Sequence, residues 1–403
     1  MLSRGRLRAA VALSGPAFVA SVAYVDPGNF VTNFAGGGRY GYQLLWVVVL
    51  ASVLAILVQY LASKVGLATG RSLPAVCADV LPRQVNLLLW IQAELVAVAT
   101  DLAEFVGAAL GLHLLFGIGL FPAGLITAAV AFLVLGLRQR GHRGFEIAII
   151  VTMVLVAAGF GYLFVRAGHQ DFAAVARGLV PRLRQGELGV GVGIVGATVM
   201  PHVIYLHSAL QAGRVGASTP AQRQVLLTHN RWDCVVGLGA AGVVNAAMLC
   251  VAAAVPGLSG SAGDLVASHD ALAANVGTVA GIAFAVALVA AGLGSASVAT
   301  YAGQVVMEGF MNWRIPLLLR RGVTMLPSLV VLALTDSVGG PLLISQIALA
   351  FGIPFALVPM IIVTRRADVM GDMVNRRATT IVVSVATGLV IALNVYLLID
   401  IIT

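Results

Sequence analysis

"VASVAYVDPGNFVTNFAGG" (Val19–Gly37) starts as an apolar helix and then, where the middle of a membrane span belongs, delivers Asp26, Pro27, Gly28 and Asn29. Pro27 lacks an amide proton and clashes with the preceding turn, while Gly28 tolerates almost any backbone angle. The helix must therefore break, and the break carries a carboxylate and a carboxamide.

The rest of the chain explains why this place is costly. Of its 403 residues, 60% are hydrophobic and only 10% are charged, which excludes a soluble globular domain. Leu44–Leu61, Phe145–Val165 and Thr380–Ile399 are each long enough to cross a bilayer as helices, and barrel-like alternation is absent. Apolar runs between polar breaks predict eleven transmembrane helices, at about 10–35, 42–69, 86–115, 121–137, 145–165, 188–212, 233–255, 276–308, 317–335, 340–363 and 379–400. Arg4, Arg6 and Arg8 before the first run also suit a signal peptide, but ten further runs favour a multi-pass protein.

In an orientation with the N-terminus inside, 18 of the arginines fall on inner segments, and only Arg39, Arg166, Arg177, Arg182 and Arg184 fall outside. The expectation is a cytoplasmic N-terminus and, after an odd number of spans, an outside C-terminus. The net charge of +8 is thus a topology signal, with no basic patch interleaved with aromatics to suggest nucleic acid. Cys77, Cys234 and Cys250 form no CxxC pair and read as packing residues. Short loops and even composition predict a single domain over 1–403 with no obligatory protein partner.

A second break lies in "GATVMPHVIYLHS" (Gly196–Ser208), at Pro201. The two breaks open the first span of each half if the chain is two five-span repeats, about 1–166 and 187–366, plus an eleventh helix at about 377–403. An odd number of spans per repeat makes the halves inverted, the pattern of a secondary transporter with its site near the midplane. Irregular backbone at that depth survives only where it lines a cavity or is buried in protein. Two unrelated proline kinks are the plainer alternative.

Asp26 offers a hard anionic oxygen, Asn29 a neutral one and Met200 a polarisable thioether. Unwinding frees main-chain carbonyls before each break, at Ala23 and Ala197. Ca²⁺ and Mg²⁺ want oxygen alone, whereas Mn²⁺ and Fe²⁺ tolerate mixed ligands and Cd²⁺ welcomes sulfur. The set favours transition metals as transported substrates, with no permanently bound cofactor. An amino-acid or other organic-solute carrier is the main rival, but Asp26 would repel a substrate carboxylate. A membrane oxidoreductase would need facing His or Cys ligands, and His202 and His207 find no partner pair in another span.

"WIQAELVAVATDLAEFVGAAL" (Trp90–Leu110) sets Glu94, Asp101 and Glu104 on one helical face. Intramembrane carboxylates can relay protons, and they can equally pair with arginines such as Arg214 or Arg321. His202 can exchange protons near neutral pH.

"DPGN" (26–29) and "GATVMPH" (196–202) together resemble the two signature motifs of the Nramp (natural resistance-associated macrophage protein) family of proton-coupled divalent metal transporters. "TGRSLPAV" (69–76), "ELVAVATDLAEFVGAA" (94–109) and "YAGQVVMEGF" (301–310) are also similar to that family. The resemblance implies an all-α LeuT fold with helices 1 and 6 broken, in a cell inner (plasma) membrane. It implies import of Mn²⁺ or Fe²⁺ with protons by alternating access. The implied metal ligands are Asp26, Asn29, Met200, the carbonyls of Ala23 and Ala197, and Gln346. The implied proton pathway is Asp26, Glu94, Asp101, Glu104, His202 and Arg321. Met200 separates the chain from family members that move Mg²⁺ or Al³⁺. Val203 stands where many members have an Asn.

Overall fold

The computed structural model describes residues 15–139, 142–168, 170–182, 184, 186–213, 219–258, 263–335 and 338–402. Arg4, Arg6, Arg8 and Arg214 lie outside them, as does the start of the first expected span. Every regular element among the described residues is helical. In chain order these are α1 (Pro16–Ala23), α2 (Pro27–Tyr40), a 3-10 turn (Gly41–Leu44), α3 (Leu45–Thr69), α4 (Leu73–Val80), α5 (Arg83–Phe116) and α6 (Leu120–Gln139). Next come α7 (His142–Arg166), α8 (Phe172–Gly178), α9 (Leu188–Thr198), α10 (Pro201–Gln211), α11 (Pro220–Ala254) and α12 (Leu265–Asn275). The chain closes with α13 (Thr278–Met311), α14 (Leu317–Leu334), α15 (Gly339–Thr364), α16 (Ala367–Met370), a second 3-10 turn (Gly371–Met373) and α17 (Arg377–Ile402).

Among the described residues, eight helical stretches are long and apolar enough to cross a membrane, or nine if the bent pair Ala348–Thr364 and Ala367–Met373 is one crossing. That count takes α2, the first 3-10 turn and α3 as one stretch, Pro27–Thr69, and leaves aside Leu120–Gly136 as a shorter apolar helix. Several helices outrun their apolar cores: α11 begins at Pro220, thirteen residues before the expected 233, because Thr219 and Gln222 close a capping box there. The short helices α4, α8 and α12 occupy connections that carry no long apolar period.

At the centre, α5 and α13 lie backbone to backbone. A side chain at Gly292 would strike the carbonyl of Glu104 and the amide of Ala108, so only a small residue permits the approach. α2 is wedged against α7 and α13 by edge-to-face rings, Phe30 on Phe160 at 5.0 Å and Phe34 on Phe284 at 5.2 Å between centroids. The periphery is the reverse of a soluble surface: Ile381, Val385 and Leu389 form an exposed apolar stripe on α17 at four-residue spacing. Such a stripe suits acyl chains and not water.

Candidate metal centre

Two local accidents of proline chemistry build the site. In a helix, the amide of residue i+4 donates to the carbonyl of residue i. Pro27 is four residues after Ala23, and Pro201 is four after Ala197, so neither alanine carbonyl can receive its helical bond. After α1 the chain tightens instead, with Tyr24 N donating to Ser21 O at 3.0 Å and Val25 N to Val22 O at 3.2 Å. Asp26 then turns into extended backbone and caps α2, whose first residue is Pro27. Met200, extended and fully buried, holds the same station before α10.

Asn29 joins the two breaks. Its main-chain N and Nδ2 donate to Asp26 Oδ1 at 2.9 and 2.8 Å, and Nδ2 also donates to the carbonyl of Ala197 at 3.0 Å. Thr198 Oγ1 donates to Asn29 Oδ1 at 3.3 Å. The other carboxylate oxygen, Asp26 Oδ2, is buried without a hydrogen-bond partner. Gln346 reaches the same place from α15: its Nε2 donates to Ser345 Oγ at 3.3 Å, while its Oε1 is buried and unpartnered. Its amide lies so close to the backbone at Gly28 that any side chain there would overlap it. A buried polar atom left unmatched costs about 1–3 kcal/mol, which makes these oxygens notable. Among the described residues no three His, Cys, Asp or Glu side chains gather as a metal cluster. The breaks offer one carboxylate, neutral oxygens and a thioether.

Behind the first break stand residues that the sequence did not single out. Asn245 of α11 donates to the carbonyl of Tyr24 at 2.7 Å and accepts from Asn33 Nδ2 at 2.9 Å. Gln59 of α3 donates to the Tyr24 hydroxyl at 2.7 Å and lies 3.0 Å from His207 Nδ1 through its other end. Polar residues in apolar helices that face the two breaks were the available signal. His202, next to Pro201, sits with Nδ1 3.4 Å from Thr100 Oγ1, and its Nε2 is buried without a partner.

The carboxylates of α5 divide. Asp101 pairs with Arg321 of α14 at 2.9 Å, with side-chain exposures of 3% and 0%. Arg321 also donates to Thr300 Oγ1 at 3.1 Å and lies over the Phe105 ring. Glu94, partly exposed, is held by both terminal nitrogens of Arg320, a residue the sequence reading did not assign. Glu104, the nearest of the three to α5's C-terminal end, is fully buried, and neither of its oxygens has a hydrogen-bond partner.

This all-helical apolar bundle has LeuT-like membrane proteins among its structural neighbours. The structure of MhsT in complex with L-phenylalanine superposes with a TM-score of 0.63 over 97% of this chain and 99% of that one, at 13% identity, a likeness of fold alone. The profile of the Nramp family, "Natural resistance-associated macrophage protein-like", matches residues 17–400, and the chain belongs to this family. The Divalent metal cation transporter MntH of Deinococcus radiodurans is 48% identical over 390 residues, covering 95% of this chain and 88% of its own length. A crystal structure of the Eremococcus coleocola manganese transporter, 32% identical, gives a TM-score of 0.89 over 97% of this chain and 87% of that one.

Proposed function

We propose that the protein imports divalent transition-metal ions, Mn²⁺ or Fe²⁺ and also Cd²⁺, coupled to protons by alternating access. The observation that carries this reading is the unpartnered Asp26 Oδ2, buried beside Asn29 where the two breaks meet. The ligands are Asp26, Asn29, Met200, the carbonyls of Ala23 and Ala197, and Gln346. A hard carboxylate supplies the charge attraction, and the thioether disfavours Ca²⁺ and Mg²⁺. With a single formal charge the set binds weakly enough to release its ion, as a carrier must. Relatives named as divalent metal cation and manganese transporters support the same substrate class.

The membrane arrangement that suits this role is eleven spans. At 43 residues, or about 65 Å, Pro27–Thr69 is too long for one crossing: α1 with α2 makes the first, and α3 makes the second. Gly41, at φ +61° in the intervening 3-10 turn, is where it reverses. Separating α2 from α3 and counting Leu120–Gly136 as a crossing brings nine to eleven. The repeats are then about 1–166 and 187–366, inverted, with 377–403 as the eleventh helix, the N-terminus cytoplasmic and the C-terminus outside a cell inner membrane. Asp26, His202, Glu104, Asp101, Glu94 and Arg321 form the proton route, with Arg320 holding Glu94.

The organic-solute reading fares worse. A carrier of amino acids would offer the bare amides of a broken helix to the substrate carboxylate. Here the start of α2 is already capped by Asp26 itself. Uptake into liposomes holding the purified protein, with Mn²⁺, Fe²⁺, Cd²⁺, Ca²⁺ and Mg²⁺ compared against an internal pH dye, tests the proposal. Entry of Mn²⁺ and Cd²⁺ with acidification is the expected result; entry of no divalent ion would overturn it.

A further inference from the structure

Away from the breaks, three helices bring cations together where α3 ends and α17 begins. Lys64, five residues from the end of α3, is only 7% exposed. Its Nζ donates to Asn375 Oδ1 at 2.8 Å, a neutral partner. No ion pair reaches it among the described residues, and the carboxylates of the neighbouring turn are engaged elsewhere, Asp372 by Arg223 and Asp368 by Arg366. The nearby charge has the same sign as its own: Arg376 acts electrostatically on both Lys64 and the Tyr60 hydroxyl, and Arg231 of α11 acts on Tyr60. Arg231 and Arg376 are exposed and form no ion pair among the described residues. The N-terminus of α17 at Arg377 adds the positive end of its dipole.

A buried ammonium beside an amide and further cations carries an uncompensated charge, which a bound anion would stabilise. The setting identifies its chemistry. The cluster lies near the end of α3 and the start of α17, beside Arg231 inside α11, next to Trp232, 59% exposed, and half-buried Tyr60, the side chains that favour the headgroup layer. Basic pockets between helix ends accept phosphate headgroups.

We propose that Lys64, Arg231 and Arg376 form a binding site for the phosphate headgroup of an anionic phospholipid seated between α3, α11 and α17. The proposal depends on these helices spanning a bilayer and is independent of the metal reading.

The test is native mass spectrometry of the purified protein with added phosphatidylglycerol or phosphatidylcholine, together with thermal unfolding in either lipid or in inorganic phosphate. The protein is expected to retain phosphatidylglycerol and not phosphatidylcholine, and Lys64→Gln and Arg376→Gln each to lower retention about five-fold. Arg314→Gln, at a cation paired with Glu308 elsewhere, leaves retention unchanged. Equal retention of the two lipids, or undiminished retention by the cluster variants, would overturn the site. Stabilisation by inorganic phosphate equal to that by phosphatidylglycerol would overturn the lipid as its ligand. Lys64→Gln removes an unmatched buried charge, so the lipid-free variant is expected to unfold no earlier than the parent. Failure of metal uptake would leave every one of these readouts unaffected.

Discussion

Asp101→Asn separates a structural ion pair from a proton relay. The substitution keeps the shape of the side chain and removes the counter-charge of Arg321, which has no exposed surface. Breaking one half of a buried ion pair costs about 3–5 kcal/mol, because the other charge is left without compensation. Arg321 would keep Thr300 Oγ1 at 3.1 Å and the face of Phe105, so the lower end, about 3 kcal/mol, is expected. Adding Arg321→Gln removes the stranded charge, and the double variant is expected to recover about 2 kcal/mol relative to the sum of the singles. Glu94→Gln is the internal reference: Glu94 is 21% exposed, but losing its charge strands Arg320, only 4% exposed, so about 2 kcal/mol is expected, below the loss for the fully buried pair. Thermal unfolding of the parent, the two singles, the double variant and Glu94→Gln in detergent measures these differences, and proton and Mn²⁺ fluxes in liposomes measure the function. Asp101→Asn is expected to reduce proton flux more than metal flux. An Asp101→Asn protein as stable as Glu94→Gln, or additive singles, would refute the energetic argument; equal loss of both fluxes would reduce Asp101 to a structural role.

Asp26→Ala should abolish metal transport and cost about 1 kcal/mol of stability through the lost cap. Asp26→Asn keeps a capping oxygen and should also be inactive; substantial uptake by either removes Asp26 from the site. Met200→Ala should retain Mn²⁺ transport and admit Ca²⁺, because no other side chain in the set disfavours hard ions; unchanged Ca²⁺ exclusion would place selectivity elsewhere. Gly28→Ala should fold normally, since the atoms it meets are the far end of a flexible Gln346 side chain, yet raise the KM for Mn²⁺ about tenfold, or ~1.4 kcal/mol, by displacing that amide. An unchanged KM would show that Gln346 is no ligand.

The sequence was most legible where chemistry is local. Pro27 and Pro201 inside apolar runs marked the two breaks, and α1 and α9 end just before them at Ala23 and Thr198, although Pro327, Pro354 and Pro359 stay inside α14 and α15. The three carboxylates of α5 were likewise visible, as charges in an apolar helix. Arg321 was a named candidate partner, but which carboxylate it meets, and the part played by Arg320, were not legible, because pairing is set by how α14 crosses α5. Arg320 and Arg321 are neighbours that point about 100° apart, and the crossing delivers one to Glu94 and the other to Asp101. The support of Tyr24 by Asn245 joins residues 221 apart, a distance over which periodicity carries no information. Short connecting helices such as α4 escaped because eight residues hold too few turns for a period to emerge.

The carbonyls of Ala23 and Ala197 lack their helical donors because of prolines four residues downstream, and as ligands in the proposed site they would be hidden from the usual genetics of binding sites. An acceptor that belongs to the main chain survives every substitution of the residue that bears it. Tolerance at positions 23 and 197 in a mutational scan would therefore say nothing against their use, and an alanine scan would leave both unchanged by definition. Only replacement of Pro27 or Pro201, which restores the missing donor, can silence those oxygens.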